Sequence, residues 1–232
     1  MQIIEAIEWM EDQNIYRNER TGHLDCDGIQ LCESHMNSLR FDFVVKFNKK
    51  SSILNKAMRS EEMPTYKPFE YIKGDYTDEL DRICECVKSE TPNKDEIIRE
   101  WLLNVGRSMI DINNGKALIF RGKQCIGKTS WFRSLLPEYL LRYYGEIPFA
   151  NSADFRIFKR EKVIISNPHL TGIMSALRKN KESQTSLCGT TNEHIDSNAY
   201  IDVVDVIGVD YKIYNSIDKT KLLNQIISEV RL

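Results

Sequence analysis

Residues 120–137, FRGKQCIGKTSWFRSLLP, hold the pattern on which the fold turns. The stretch opens on the end of an apolar run, KALIF (116–120), passes through a loop bounded by Gly122 and Gly127, and continues as a helix opening on Lys128 and Thr129. Gly122, Lys123, Gln124, Cys125, Ile126, Gly127, Lys128 and Thr129 satisfy G-x-x-x-x-G-K-[ST] in full, with Ser130 next. In that layout backbone N–H groups converge on a β-phosphate and the following helix adds its positive N-terminus. The lysine neutralises the β/γ oxygens and the hydroxyl ligates magnesium. The expected ligand is ATP with Mg²⁺, held by residues 122–130 with Thr129 as the metal ligand. The competing reading is a glycine-containing strand-to-helix turn.

Outward from the loop, helical and strand patterns alternate. A Thr77 cap opens an apolar stripe of Leu80, Ile83, Cys84 and Val87, and a second helix runs from about Asn93 through EIIREWLLNVGRSMI. After the loop the pattern predicts a helix to about Leu141 and strands at 162–166, around 185–190 and at IDVVDVIGV (201–209). A terminal helix from Asp218 follows. Such alternation argues for a mostly parallel, three-layer α/β sheet. Before it, residues 1–72 read as a small α+β module: a helix to about Gln13, a β-hairpin turning at Asp27-Gly28, and helices near 33–47 and 51–60. Pro64, Pro68 and Gly74 in EEMPTYKPFEYIKGD mark a boundary, which leaves 73–232 as the larger domain.

At 232 residues, 41% hydrophobic and 28% charged, the chain can bury a substantial core without disulfides or metal. No apolar stretch approaches the ~18 residues of a membrane span, and the opening MQIIEAIEWMEDQ is acidic where a secretory signal is basic, so a cytoplasmic protein is expected. Its six cysteines are scattered, as reduced thiols are. His23, Cys26, Cys32 and His35 are spaced as potential zinc ligands, although the five-residue inner loop is short and the segment also reads as the hairpin.

Net charge is −2, yet cations cluster at 37–59 (Arg40, Lys46, Lys49, Lys50, Lys56, Arg59) and at 156–181 (Arg156, Lys159, Arg160, Lys162, Arg178, Lys179, Lys181). Such segments either contact a nucleic-acid backbone through counterion release or form a solvated face. The remaining chemistry lies after two strands. EKVIISNPHL, read as the strand neighbouring the loop's own, follows its apolar run with Ser166, Asn167 and Pro168, where a hydrolase would carry a magnesium-motif acid. SLCGTTNEH ends in Thr190, Thr191 and Asn192, fitting either a side chain that senses a γ-phosphate or a strand-ending turn. Asn192 is the candidate catalytic residue, and Asp154, Glu161 and Glu193 are the alternative acids.

The ordered series IYRNERTGHLD, MNSLRFDF, SSILNKAMRSEEMPTYKPFEYI, IREWLLNVGRSMID, ALIFRGKQCIGKTSWFRSLLPEYLLRYY, GTTNE and VIGVDYKIYNSIDKTKLLNQI resembles the virulence-associated protein E family. These are primase-helicase-like P-loop ATPases of phages and mobile elements, related to superfamily 3 helicases. The resemblance implies an AAA+/superfamily 3-like P-loop NTPase domain behind a small N-terminal module. It also implies DNA replication as the process, with a homo-oligomer or a replication protein as partner. The chain departs from the family where glycine is usual at Cys125, where its magnesium-motif acid falls on Ser166-Asn167-Pro168, and where paired arginines give way to Ser197-Asn198-Ala199-Tyr200. The implied hydrolysis is accordingly weak or lost. The alternative is a non-enzymatic DNA-binding or assembly module on the same fold.

Overall fold

The computed structural model describes residues 2–70, 72–73, 77–110, 116–147, 161–167 and 185–231. Contacts divide the chain into two compact units, Met1–Tyr71 and Ile72–Leu232.

In the first unit, helix α1 (Gln2–Asp12) precedes strands β1 (Ile15–Asn18), β2 (Leu24–Cys26) and β3 (Ile29–Gln30), helices α2 (Glu33–Phe47) and α3 (Ser51–Ala57), and strand β4 (Thr65–Tyr66). The sheet order is β3-β2-β1-β4, antiparallel except for the parallel β1–β4 pair. Asp27 (φ 50°) and Gly28 (φ 79°) both take left-handed backbone, as a two-residue hairpin turn requires. Ala6, Met10, Ile15, Phe43, Leu54 and Met63 form the core. The stretch read as a boundary holds the division between the two units and also contains a strand. That strand is β4, which reaches β1 because Pro64, lacking an N–H, still offers its carbonyl to Arg17 N at 2.9 Å. His23, Cys26, Cys32 and His35 are not gathered as ligands, and no group of three or more potential metal ligands occurs among the described residues.

The second unit contains α4 (Glu79–Glu85), β5 (Val87–Ser89), α5 (Lys94–Met109), β6 (Ala117–Arg121), α6 (Lys128–Arg133), a 3₁₀ turn (Glu138–Tyr143), β7 (Tyr144–Glu146), β8 (Ile164–Asn167), β9 (Ser186–Thr191), β10 (Ile201–Val209), α7 (Tyr211–Ser216) and α8 (Lys219–Arg231). Its six strands lie in the order β5-β10-β6-β9-β8-β7, all parallel except the antiparallel edge pair β5–β10. Strand β6 is central, and an all-apolar ALIF suits it because a middle strand is covered on both faces. Helix α5 presents Ile98, Trp101, Leu102, Val105 and Met109 at helical spacing. Trp101, Phe120, Trp131 and Phe132 form an aromatic cluster between α5, α6 and the sheet, with Phe120 4.6 Å from Phe132 and 5.0 Å from Trp131 by ring centroids.

Three sequence expectations change. The helix after the loop ends at Arg133, and residues 138–143 form a separate 3₁₀ turn, because Pro137 cannot continue the helical hydrogen bonds and restricts the residue before it. Strands β5 and β7, three residues each, were not anticipated. Strand β8 does not adjoin β6, because β9 lies between them. No described helix is long and apolar enough to cross a membrane.

Candidate functional site

The loop Gly122–Gly127 leaves the C-terminal end of β6, with Gly122 N bonded to Thr191 O of β9 at 3.0 Å. Gly127 sits in left-handed backbone (φ 94°) and caps α6, its carbonyl accepting Trp131 N at 2.9 Å. A Cβ there would run into the Tyr211 hydroxyl and come within 2.9 Å of its ring carbon Cζ, so a side chain would require the tyrosine to shift as well as a strained backbone. Lys123, Gln124, Cys125 and Ser130 are exposed, and Ile126 and Thr129 are half-buried.

Lys128 is buried, 7% exposed, and burial pushes its ammonium pKa down. Its Nζ donates to Gly122 O and Lys123 O, and it approaches Asn192 Oδ1 at 3.4 Å. Beside it, Thr129 Oγ1 lies 3.5 Å from Thr190 Oγ1. The fold thus brings the lysine and threonine of the loop against the polar end of β9, and exposed Asn192 is among the residues so gathered. Cys125 takes φ 60°, a conformation that costs an L-residue ~1 kcal/mol or more. Cys125→Gly is therefore expected to raise the stability of this unit by about 0.5–1 kcal/mol, and Cys125→Val to lower it by ~1 kcal/mol. Chemical denaturation of the two variants checks the pair, and a destabilised glycine variant would show that the thiol contributes contacts outweighing the strain.

The carboxylates are placed less as expected. Ser166 on β8 is buried, with the Tyr144 hydroxyl and the Cys188 thiol as neighbours, and burial raises the pKa of both. The Asn167 side chain and Asp154 lie outside the described residues. Glu161 precedes β8, and Glu193 is exposed after β9. Glu146, which sequence reasoning missed, pairs directly with Ser166 across β7 and β8. Its carboxylate accepts Arg133 Nε at 2.9 Å and Nη2 at 3.0 Å, plus the Tyr144 hydroxyl at 3.0 Å. Arg133 holds its pKa down, so it is a committed anion and a poor proton acceptor.

Ser197-Asn198-Ala199-Tyr200 serves as a turn into β10: Ser197 Oγ accepts Val203 N at 2.9 Å and Asn198 Oδ1 accepts Tyr200 N at 2.8 Å. The nearest arginine to the loop in sequence, Arg121, is engaged. It clasps Asp205 of β10 with two nitrogens and reaches His194 Nδ1 at 3.0 Å and Ile195 O at 2.8 Å, tying the end of β6 to β10 and to the segment after Asn192. Arg121 and Asp205 hold each other charged, the arginine's pKa moving up and the aspartate's down. No spacing signal in the sequence pointed to this pair.

In the first unit, Arg40 bonds Asn37 and Asn55, and Lys49 pairs with Glu5. Of the basic segment 156–181, all but residues 161–167 lie outside the described residues.

The architecture so defined is a mixed α/β fold with a mostly parallel six-stranded sheet and a small N-terminal α/β sheet. It is similar to the C-terminal region of NrS-1 in its A-form apo structure. One such chain, covering residues 305–718, superposes with a TM-score of 0.62 at 14% identity, spanning 100% of this chain and 72% of that one. A second gives 0.57 at 12% identity, spanning 96% and 68%. Likeness at that identity establishes the fold. No family model matches the sequence, and no curated protein matches it.

Proposed function

We propose that the second unit is a P-loop NTPase domain of AAA+/superfamily 3 type that binds ATP·Mg²⁺ at residues 122–130 and hydrolyses it weakly or not at all. One observation carries this reading: a complete G-x-x-x-x-G-K-T loop stands at the C-terminal end of the central parallel strand, with Lys128 and Thr129 facing the polar tip of the next strand. Ligands of open α/β sheets bind at that edge. Thr129 would hold the magnesium, and Asn192 would contact the γ-phosphate or its attacking water.

Hydrolysis needs an acid near the metal and a cation for developing charge. Strand β8 offers Ser166 and Asn167 where the acid belongs, Glu146 is already paired with Arg133, and Arg121 is clasped to Asp205. The C-terminal region of NrS-1 shares this fold. The sequence resemblance to virulence-associated protein E proteins supports a role in DNA replication of a mobile element. The basic segments would then contact DNA without sequence preference, and a second copy or a replication protein would be the partner.

Calorimetric ATP affinity measured beside the hydrolysis rate, with and without DNA, tests the proposal. The expected outcome is Mg²⁺-dependent binding with turnover at background. Losing an arginine's contribution alone costs ~10³ or more in rate in other P-loop enzymes. Robust, Lys128-dependent hydrolysis by the wild-type chain would show that an acid outside β8 serves the site.

A further inference from the structure

We propose that Tyr211 is the nucleobase platform of the loop site, making it a purine nucleotide site; this rests on the nucleotide-binding reading above. The loop has two chemically different flanks. On the β9 side stand Thr190 and Asn192, within reach of Thr129 and Lys128. On the β10 side stands an aromatic residue: Tyr211 lies just beyond the end of β10 and sets the hydroxyl end of its ring against Gly127. A nucleoside triphosphate is equally two-ended, a metal-bound polyanion at one end and a flat π-surface at the other. The polar flank suits the first end and the ring suits the second.

The tyrosine has the properties a platform needs. It remains 44% exposed although it touches the loop, so part of its ring is open to a ligand. Its position is held from below. Tyr214, one helical turn on, meets it edge to face at 6.3 Å and 75°. Tyr214 is itself buried, its hydroxyl 3.0 Å from Trp131 O and 2.8 Å from Ser134 Oγ on the loop helix and its end. Lys219 Nζ stands 3.6 Å from the Tyr214 ring centroid. Asp210 starts α7 by accepting Lys212 N at 3.1 Å and Ile213 N at 3.4 Å, which fixes where Tyr211 leaves β10. An aromatic side chain so fixed loses little freedom when a base stacks on it, and stacking favours the larger purine face.

The test compares ATP, CTP and inorganic triphosphate, each with Mg²⁺, by calorimetry on the full chain and on Tyr211→Ala, Tyr211→Phe and Lys128→Ala, with circular dichroism on each variant. In the wild type, ATP is expected to bind several-fold tighter than CTP. Tyr211→Ala should weaken ATP about 10-fold, erase that preference and leave triphosphate within twofold. Tyr211→Phe should keep ATP affinity within twofold, since the ring and not the hydroxyl carries the contact. Equal losses of ATP and triphosphate in Tyr211→Ala would overturn the proposal and make the residue a prop for the loop. Loss of ATP in Tyr211→Phe matching the alanine variant would also overturn it. Lys128-dependent ATP binding that ignores Tyr211 would defeat this assignment alone, whereas a wild-type chain binding neither ATP nor triphosphate would defeat the nucleotide reading with it.

Discussion

Lys128→Ala is expected to lower affinity for ATP·Mg²⁺ by about 10²-fold while leaving the unliganded fold nearly as stable as before. The affinity side follows from charge: on the proposed reading this ammonium would meet the β/γ oxygens, and hydrogen bonds to charged groups carry ~1.5–3 kcal/mol each. The stability side follows from what the ammonium does without a ligand. It donates to Gly122 O and Lys123 O, but it is buried where its charge is disfavoured, so removal trades lost hydrogen bonds against a relieved desolvation cost. Calorimetry and thermal denaturation on the same preparation separate the two. Unchanged ATP affinity would mean that Gly122–Thr129 is only a turn between β6 and α6. A large fall in melting temperature would mean that the lysine is chiefly a structural clamp.

Phe120→Ala carries the largest expected effect on stability, about 4 kcal/mol, or roughly 8–16 °C in melting temperature for a unit of this size. Phe120 is fully buried in the central strand and packs at a tilt against both Trp131 and Phe132 of the loop helix. The cavity left behind would be lined by rigid rings from α5 and α6 that cannot collapse into it. Because the same helix begins at Gly127, nucleotide affinity should fall as well. Phe120→Leu, which keeps much of the volume, should recover over half of both losses. A melting temperature within 3 °C of wild type for the alanine variant would mean that the aromatic cluster is not the centre of this unit.

Much of the larger unit was legible because its signals are local. The apolar runs of β6 and β10, the stripe of α5, and Asp218 capping α8 through Thr220 N and Lys221 N depend only on neighbouring residues. Strands β5 and β7 escaped because three residues carry no period. They are strands only because β10 and β8 offer them unpaired backbone edges. The missed Glu146–Arg133 pair has the same origin, joining residues from a strand and a helix that no spacing rule connects.

By itself the sequence determined that a G-x-x-x-x-G-K-T loop joins an apolar strand to a helix in a mostly parallel α/β unit, and that serine and asparagine stand where an acid would be expected. These are properties of short stretches, written in residue type and spacing. Only the tertiary structure decided the strand order, and with it the neighbours of the loop. Placing β9 rather than β8 beside β6 sets Asn192 and Thr190 against Lys128 and Thr129, and placing β10 on the other side brings the hydroxyl end of Tyr211 against Gly127. Which strands become neighbours is fixed by how whole faces bury against one another, a long-range choice that no local window of residues encodes.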